Sequence, residues 1–116
     1  MQISISARHG ELSSDTQEKI REKVDRLPRF FDRLTAIFVT ADMEHRDSPT
    51  VELRVSAERS QDFVATDTSS NVIAALDGVL HKIEQQLRKH KEKLTEHRAT
   101  GHKHLEMPIE PDDDET

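Results

Sequence analysis

The chain has 116 residues, of which 33% are hydrophobic and 34% charged, and it contains no cysteine. This length predicts one domain with a single core of modest size. The composition excludes disulfide bonds, thiolate nucleophiles and zinc–thiolate sites. No apolar stretch approaches the ~20 residues of a membrane helix, and the first residues lack the layout of a secretory signal. We therefore expect a cytoplasmic protein that does not bind a membrane.

Charge is distributed unevenly along the chain. The formal net charge is −6, but residues 106–116 contain six acids and no base, so residues 1–105 hold 17 basic and 17 acidic residues. Within this neutral part, residues 81–103 contain seven Lys or Arg against three Glu. The segregation of charge, rather than its total, decides which partners a surface attracts.

The first two elements are a strand and a helix. The chain opens with strict alternation of apolar and polar residues, which is typical of a half-buried strand. Apolar residues then recur at helical spacing as far as Leu27. Ser13 or Ser14 can cap this helix, and Ser14 with Gln17 fits a capping box. Pro28 is expected to end or kink the helix.

Three strands and a long helix follow. The segments 36–41, 51–57 and 62–66 predict strands, and the polar stretch 42–49 predicts a hairpin loop. Thr68, Ser69 or Ser70 can cap the last helix, whose apolar face continues to at least Lys93. Gly78 lies inside this helix at a cost of about 1 kcal/mol relative to alanine, which its packing must offset.

This order predicts an α+β fold, β-α-β-β-β-α, with one four-stranded sheet and both helices packed on one face. The opposite face of the sheet is expected to be polar and solvated. Inward-facing strand residues should be buried against the helices; they are Ile3, Ile5, Val51, Leu53 and Val55. We expect this domain to span residues 1–98 and a disordered acidic tail to span residues 99–116.

Both helices carry rows of basic residues. In the first helix, Lys19, Lys23 and Arg26 form a row that borders the apolar face, and Arg29 extends it. In the second helix the row consists of Lys82, Gln86, Lys89 and Lys93, with Arg88 and Lys91 flanking it. In one interpretation, the rows are solvated residues that form ion pairs along the helix. In another, the cations of the second helix complement the dipole at its C-terminus.

The functional interpretation is that the two rows join into one surface. If the helices lie side by side, their long flexible cations would face a phosphate backbone. These side chains are not arranged to recognise individual bases. The expected partner is then a structured RNA or a duplex recognised by shape, with binding that weakens as salt rises.

Two segments carry a resemblance to a known family. They are 11–13 leading into the first helix with Arg29-Phe30-Phe31 after it, and Ala74-Ala75-Leu76 continuing through residues 82–89. With the element order, they resemble the bacterial ribosome hibernation-promoting factor and ribosome-associated inhibitor A family, also called ribosomal subunit interface proteins, over roughly residues 1–95.

The resemblance implies a fold similar to a double-stranded-RNA-binding domain. It further implies binding to 16S rRNA in the mRNA and tRNA channel of the small (30S) ribosomal subunit, which blocks translation. The basic positions of the family match Lys23, Arg26, Arg29, Lys82, Lys89 and Lys93. Arg88 and Lys91 are similar in role, so these eight residues are the predicted RNA-binding set.

Other interpretations remain open. The chain could be a protein-interaction regulator, for example a transcription-factor modulator that docks through the sheet. No nucleophilic triad, phosphate loop or catalytic carboxylate pair is recognisable, so we expect no enzyme, no cofactor and no small-molecule substrate. His97, His102 and His104 lie in a segment without preorganisation, so we expect at most weak metal binding there. The acidic tail is either solubilising or a polyanion mimic that covers the basic helices.

Overall fold

The computed structural model describes the backbone of residues 1–99 and the side chains as far as Lys93. The predicted acidic tail and the side chains of His97, His102 and His104 lie outside the described residues. The domain boundary at residue 98 therefore stays a prediction. In the described part of the chain, no helix combines the length and apolarity needed to cross a bilayer.

Residues 1–99 form four strands and three helices in an α+β arrangement, which confirms the predicted fold class. The elements are β1 Gln2–Arg8, α1 Ser14–Val24, α2 Leu27–Phe30, β2 Leu34–Asp42, β3 Thr50–Ala57, β4 Phe63–Thr68 and α3 Val72–Ala99. The predicted bounds of β2, β3 and β4 agree with these to within two residues. The short helix α2 is an addition to the predicted order.

The sheet has the strand order β1-β2-β3-β4. β1 is parallel to β2 because the helical segment between them returns the chain to the same end of the sheet. β2–β3 and β3–β4 are antiparallel, as short connections favour. One aligned row across the sheet is Ile5, Val39, Leu53 and Ala65.

The core lies between this face of the sheet and the helices. Val51, Leu53 and Val55 are fully buried as predicted, together with the apolar stripes of both long helices. Ile3 and Ile5 are only partly buried. The reason is that α3 packs on β3 and β4, whereas β1 is an edge strand covered by α1 alone.

The start of α1 is capped by Ser13, whose Oγ accepts a hydrogen bond from the Thr16 amide at 3.1 Å. The predicted capping box of Ser14 and Gln17 does not form. Instead, the Gln17 amide group donates to the Leu12 carbonyl at 3.0 Å, because helix α1 begins one residue after Ser13.

The end of α1 also differs from the prediction. The helix stops at Val24, and Pro28 lies in the first turn of α2 rather than at the end of α1. A proline is tolerated in a first turn because the amide it lacks would have no helical partner there.

Helix α3 is capped by Asn71, not by Thr68, Ser69 or Ser70. The Asn71 Oδ1 accepts from the Ala74 amide at 2.8 Å, as a preferred N-cap residue does. The three predicted residues cannot cap the helix, because β4 continues to Thr68 and a turn must follow before the helix begins.

A polar pair joins the ends of β1 and β2. His9 Nδ1 lies 2.9 Å from Asp42 Oδ1, which also accepts from the Glu44 amide at 3.0 Å. The hydrogen bond to Asp42 raises the pKa of His9, and the same hydrogen bond lowers the pKa of Asp42. Possible metal-ligand atoms of His9, Asp42 and Glu44 come within 4.8 Å of one another. The atoms of His9 and Asp42 in this group are already hydrogen-bonded to each other.

Gly78 stands in α3 where Asp67 of β4 approaches the helix backbone. A Cβ at position 78 would collide with the Asp67 carboxylate. The side chain of Lys82, one turn further, lies 3.7 Å from the same carboxylate. Close approach of β4 therefore explains why a residue of low helix propensity stands inside a long helix.

We expect Gly78→Ala to stabilise the protein less than the helix preference for alanine predicts, because Asp67 must move away from the helix. In an Asp67→Ala background the same substitution should raise the free energy of unfolding by about 1 kcal/mol, the intrinsic preference of a helix for alanine. Urea unfolding of the four proteins measures both effects. Equal effects of Gly78→Ala in the two backgrounds would contradict this explanation.

We expect Asp42→Asn to bring the pKa of His9 down towards 6.5, its ordinary value, because the anionic acceptor is lost. The raised pKa of His9 stabilises the fold below pH 6.5, and this contribution disappears as the pH rises through the folded value. The lowered pKa of Asp42 stabilises the fold above pH 3.8, and this contribution disappears as the pH falls through the pKa that Asp42 has in the folded protein. The stability difference between the wild type and Asp42→Asn should thus be largest between these two limits. An NMR titration of His9 that is the same in both proteins would refute this.

Candidate nucleic-acid interface

The basic residues of α3 lie on two different sides of the helix. Its apolar stripe faces the sheet, α1 packs along one flank, and β4 runs along the other. Contacts of individual side chains show which residues belong to which flank. We call these the α1 flank and the β4 flank.

On the α1 flank, two basic residues of the first helical segment pair with acids of α3. Lys23 Nζ donates to Asp77 Oδ1 at 2.9 Å, and Arg26 Nε donates to Glu84 Oε2 at 2.9 Å. Asp77 and Glu84 are two helical turns apart and therefore share a side of α3. For Lys23 and Arg26, acids on another helix thus compensate the repulsion between neighbouring like charges.

Arg29 lies in α2 and pairs locally. Its Nη2 donates to Asp25 Oδ2 at 3.2 Å, across one turn. The Arg29 side chain is 74% exposed, so this ion pair leaves most of the guanidinium in contact with solvent.

On the β4 flank, side chains of α3 reach the outer edge of the sheet. Lys82 Nζ donates to the Thr66 carbonyl at 2.8 Å, and Gln86 Nε2 donates to the Val64 carbonyl at 3.1 Å. β4 is an edge strand, whose unpaired carbonyls would otherwise be open to pairing with another chain. Lys82 therefore has a structural role in covering this edge.

The predicted single surface made of both basic rows does not form along the helices. Lys23 and Arg26 face Asp77 and Glu84, whereas Lys82 and Gln86 face β4. The physical reason is the rotation of α3: burying its apolar stripe on the sheet turns the acids towards α1 and the lysines towards the sheet edge.

The remaining predicted residues follow from helical periodicity. Lys89 and Lys93 continue the β4 flank after Lys82 and Gln86. Arg88 and Lys91 follow Glu84 by one and two turns, so they continue the α1 flank instead of flanking the row of Lys82. Cations of both flanks therefore occur together between residues 88 and 93.

We call residues 88–93 the basic end of α3. This segment holds four basic residues and one acid, whereas residues 72–84 of the same helix hold one base and two acids. Leu87 is the last buried apolar residue among those described, and His90 contacts Phe63 with ring centroids 5.3 Å apart. Lys91, Glu92 and Lys93 are exposed. Arg88, Lys89 and Lys93 pair with none of the carboxylates that the structure describes.

Sequence reasoning missed the acids that pair with these cations. Asp67, Asp77 and Glu84 were not expected to contact the basic rows. The spacing of Asp77 and Glu84 on one side of α3 was visible in the sequence, but only the packing of the two helices shows which cations they meet.

The opposite face of the sheet is mostly polar, as predicted, with an apolar exception at its centre. Ser4, Phe38, Arg54 and Val64 form one aligned row on this face. Phe38 is 37% and Val64 40% exposed. Arg54 between them lies near two acids, Glu52 at 4.0 Å and Asp62 at 3.9 Å.

Comparison with known proteins identifies the family. The chain is 32% identical over 110 residues to the ribosome hibernation promoting factor of Azotobacter vinelandii, covering 94% of this chain and 99% of that protein. It is 28% identical over 100 residues to the factor of that name from Escherichia coli (strain K12), covering 84% and 100%.

Two solved structures share the fold. A ribosomal subunit interface protein from Coxiella burnetii aligns with a TM-score of 0.71 at 23% identity, covering 79% of this chain and 99% of that one. The N-terminal domain of Thermus thermophilus Protein Y aligns with a TM-score of 0.69 at 19% identity, covering 78% and 99%. Residues 3–95 match the family model described as Sigma 54 modulation protein / S30EA ribosomal protein, and the chain therefore belongs to this family.

Proposed function

We propose that this protein is a ribosome hibernation factor that inhibits translation by binding the small (30S) subunit. In this proposal it occupies the channel of mRNA and tRNA and contacts phosphates of 16S rRNA with the basic faces of its helices. Relatives named ribosome hibernation promoting factor, which match this chain over nearly their whole length, support a ribosomal role.

The basic end of α3 is the observation that carries the RNA-binding part of the proposal. Its cations are exposed and concentrated in under two helical turns, and three of them have no described carboxylate within ion-pair distance. When such cations contact phosphates, they displace the counterions condensed on the RNA, which gives affinity without base recognition. Lys23, Arg26, Arg29 and Lys82 already contact an acid, so we assign them a smaller share of the binding free energy.

The exposure of the cations at the basic end of α3 supports a binding function. The residues Arg88, Lys89, Lys91 and Lys93 are all exposed. Exposed cations of this kind suit contacts with phosphates.

A second candidate function is docking of a protein through the sheet, as in a transcription-factor modulator. Phe38 and Val64 on the solvent face of the sheet favour it, because two exposed apolar side chains in one row suit a protein partner. The edge of β4 does not, since Lys82 and Gln86 already occupy its carbonyls. This candidate therefore depends on the open face or on the other edge strand, β1.

We expect Lys89→Glu to weaken binding to 30S subunits several-fold at low salt and to lower the salt dependence of log K by about 1. Arg46→Glu is the matched control, because it makes the same charge change in the loop next to Asn71, at the opposite end of α3. Sedimentation with 30S subunits at several salt concentrations measures both. Equal losses for the two variants, or no binding of the wild type at low salt, would contradict the proposal.

Phe38→Glu separates the two candidate functions. We expect it to leave 30S binding unchanged, because Phe38 lies on the face of the sheet away from the helices. Loss of 30S binding in Phe38→Glu with retention in Lys89→Glu would instead show that the sheet, and not α3, contacts the 30S subunit.

A further inference from the structure

The guanidinium of Arg26 is held at one corner only. Its Nε donates to Glu84 Oε2 at 2.9 Å, and among the described residues its two terminal nitrogens make no hydrogen bond. The Arg26 side chain is 48% exposed, whereas that of Glu84 is 17% exposed. The carboxylate thus lies in the groove between the helices, and the outer edge of the guanidinium faces solvent.

We propose that Glu84 is a positioning residue that orients Arg26 to bind one RNA phosphate through Nη1 and Nη2. This inference rests on the proposed function and assigns a phosphate site to the groove between α1 and α3. A guanidinium is planar and carries five donors, so a bond at Nε fixes the plane without using the terminal pair. That pair matches two oxygens of a phosphate.

Arg88 makes the groove attractive to an anion in spite of Glu84. It follows Glu84 by one helical turn on the same flank, so Arg26 and Arg88 are the cations on the two sides of one carboxylate. The three groups together carry a net positive charge. Arg88 pairs with no described carboxylate, and its charge is therefore available to the same phosphate or to the next one.

Orientation should matter more for Arg26 than for Lys23. The Lys23 ammonium pairs with Asp77, whose side chain is 56% exposed. An ammonium is a compact charge with three rotatable donors and has no plane to fix. The pair of Lys23 and Asp77 is therefore the internal control for an effect of orientation as opposed to an effect of charge.

The test compares Glu84→Gln with Glu84→Ala. Both remove one negative charge, so any gain in attraction for RNA is common to them. Gln keeps an acceptor for Arg26 Nε, whereas Ala removes it and releases the guanidinium. We expect Glu84→Ala to bind 30S subunits about three- to tenfold more weakly than Glu84→Gln, the cost of ordering one long side chain on binding.

Two further comparisons make the result specific. In an Arg26→Ala background the difference between Glu84→Ala and Glu84→Gln should vanish, as a double-mutant cycle requires when one residue acts through another. Asp77→Ala and Asp77→Asn should bind equally. Alanine favours the helix, and Arg26, Asp77 and Glu84 lie outside the buried core, so every variant should fold, and circular dichroism melts check this.

The outcomes separate this inference from the proposed function. Absence of 30S binding by the wild type at low salt overturns both. If the wild type binds but Glu84→Ala and Glu84→Gln are equal, or if their difference persists without Arg26, only the positioning role of Glu84 is overturned. A difference between the two Asp77 variants as large as that at Glu84 also overturns it.

Discussion

The rotation of α3 about its own axis is the constraint on which the surface of this protein depends. Apolar residues on one stripe of the helix are buried against β3 and β4. Polar contacts hold the same rotation from both sides, with Asp77 and Glu84 towards α1 and Lys82 and Gln86 towards β4. Each of these contacts is worth little alone on an exposed surface. Together they fix the orientation of the helix on the sheet, and this orientation decides which charges face solvent.

The consequence is a helix whose two ends differ in electrostatic character. Near its start, cations are matched by acids, and Gly78 allows β4 to come close enough for Asp67 to take part. After Leu87, the last buried apolar residue among those described, residues 88–93 hold four bases and one acid. A protein whose overall charge is −6 thereby presents a concentrated positive segment. Local charge at the basic end of α3, and not the charge of the whole chain, is what a ribosomal RNA phosphate would meet.

The periodicity of apolar residues was sufficient to predict the fold, because each strand and helix buries one face and this pattern is visible in its local sequence. Helix starts were less predictable: Ser, Thr and Asn are all good caps, and only the end of β4 at Thr68 determines that Asn71 caps α3. The basic rows were visible, but their partners were not. Lys23 with Asp77 and Arg26 with Glu84 are separated by more than fifty residues, and contacts at that distance depend on how two helices cross. Family resemblance predicted which cations contact RNA, but it did not show that α3 divides them between two flanks.

Site-specific photocrosslinking to 30S subunits tests most directly whether the basic end of α3 faces RNA. A photoreactive amino acid in place of Glu92 samples this segment without removing a cation, and one in place of Phe38 samples the open face of the sheet. The account predicts crosslinks to 16S rRNA from position 92 and none from position 38. Crosslinks to the RNA from position 38 alone would show that the sheet, and not α3, faces the ribosome.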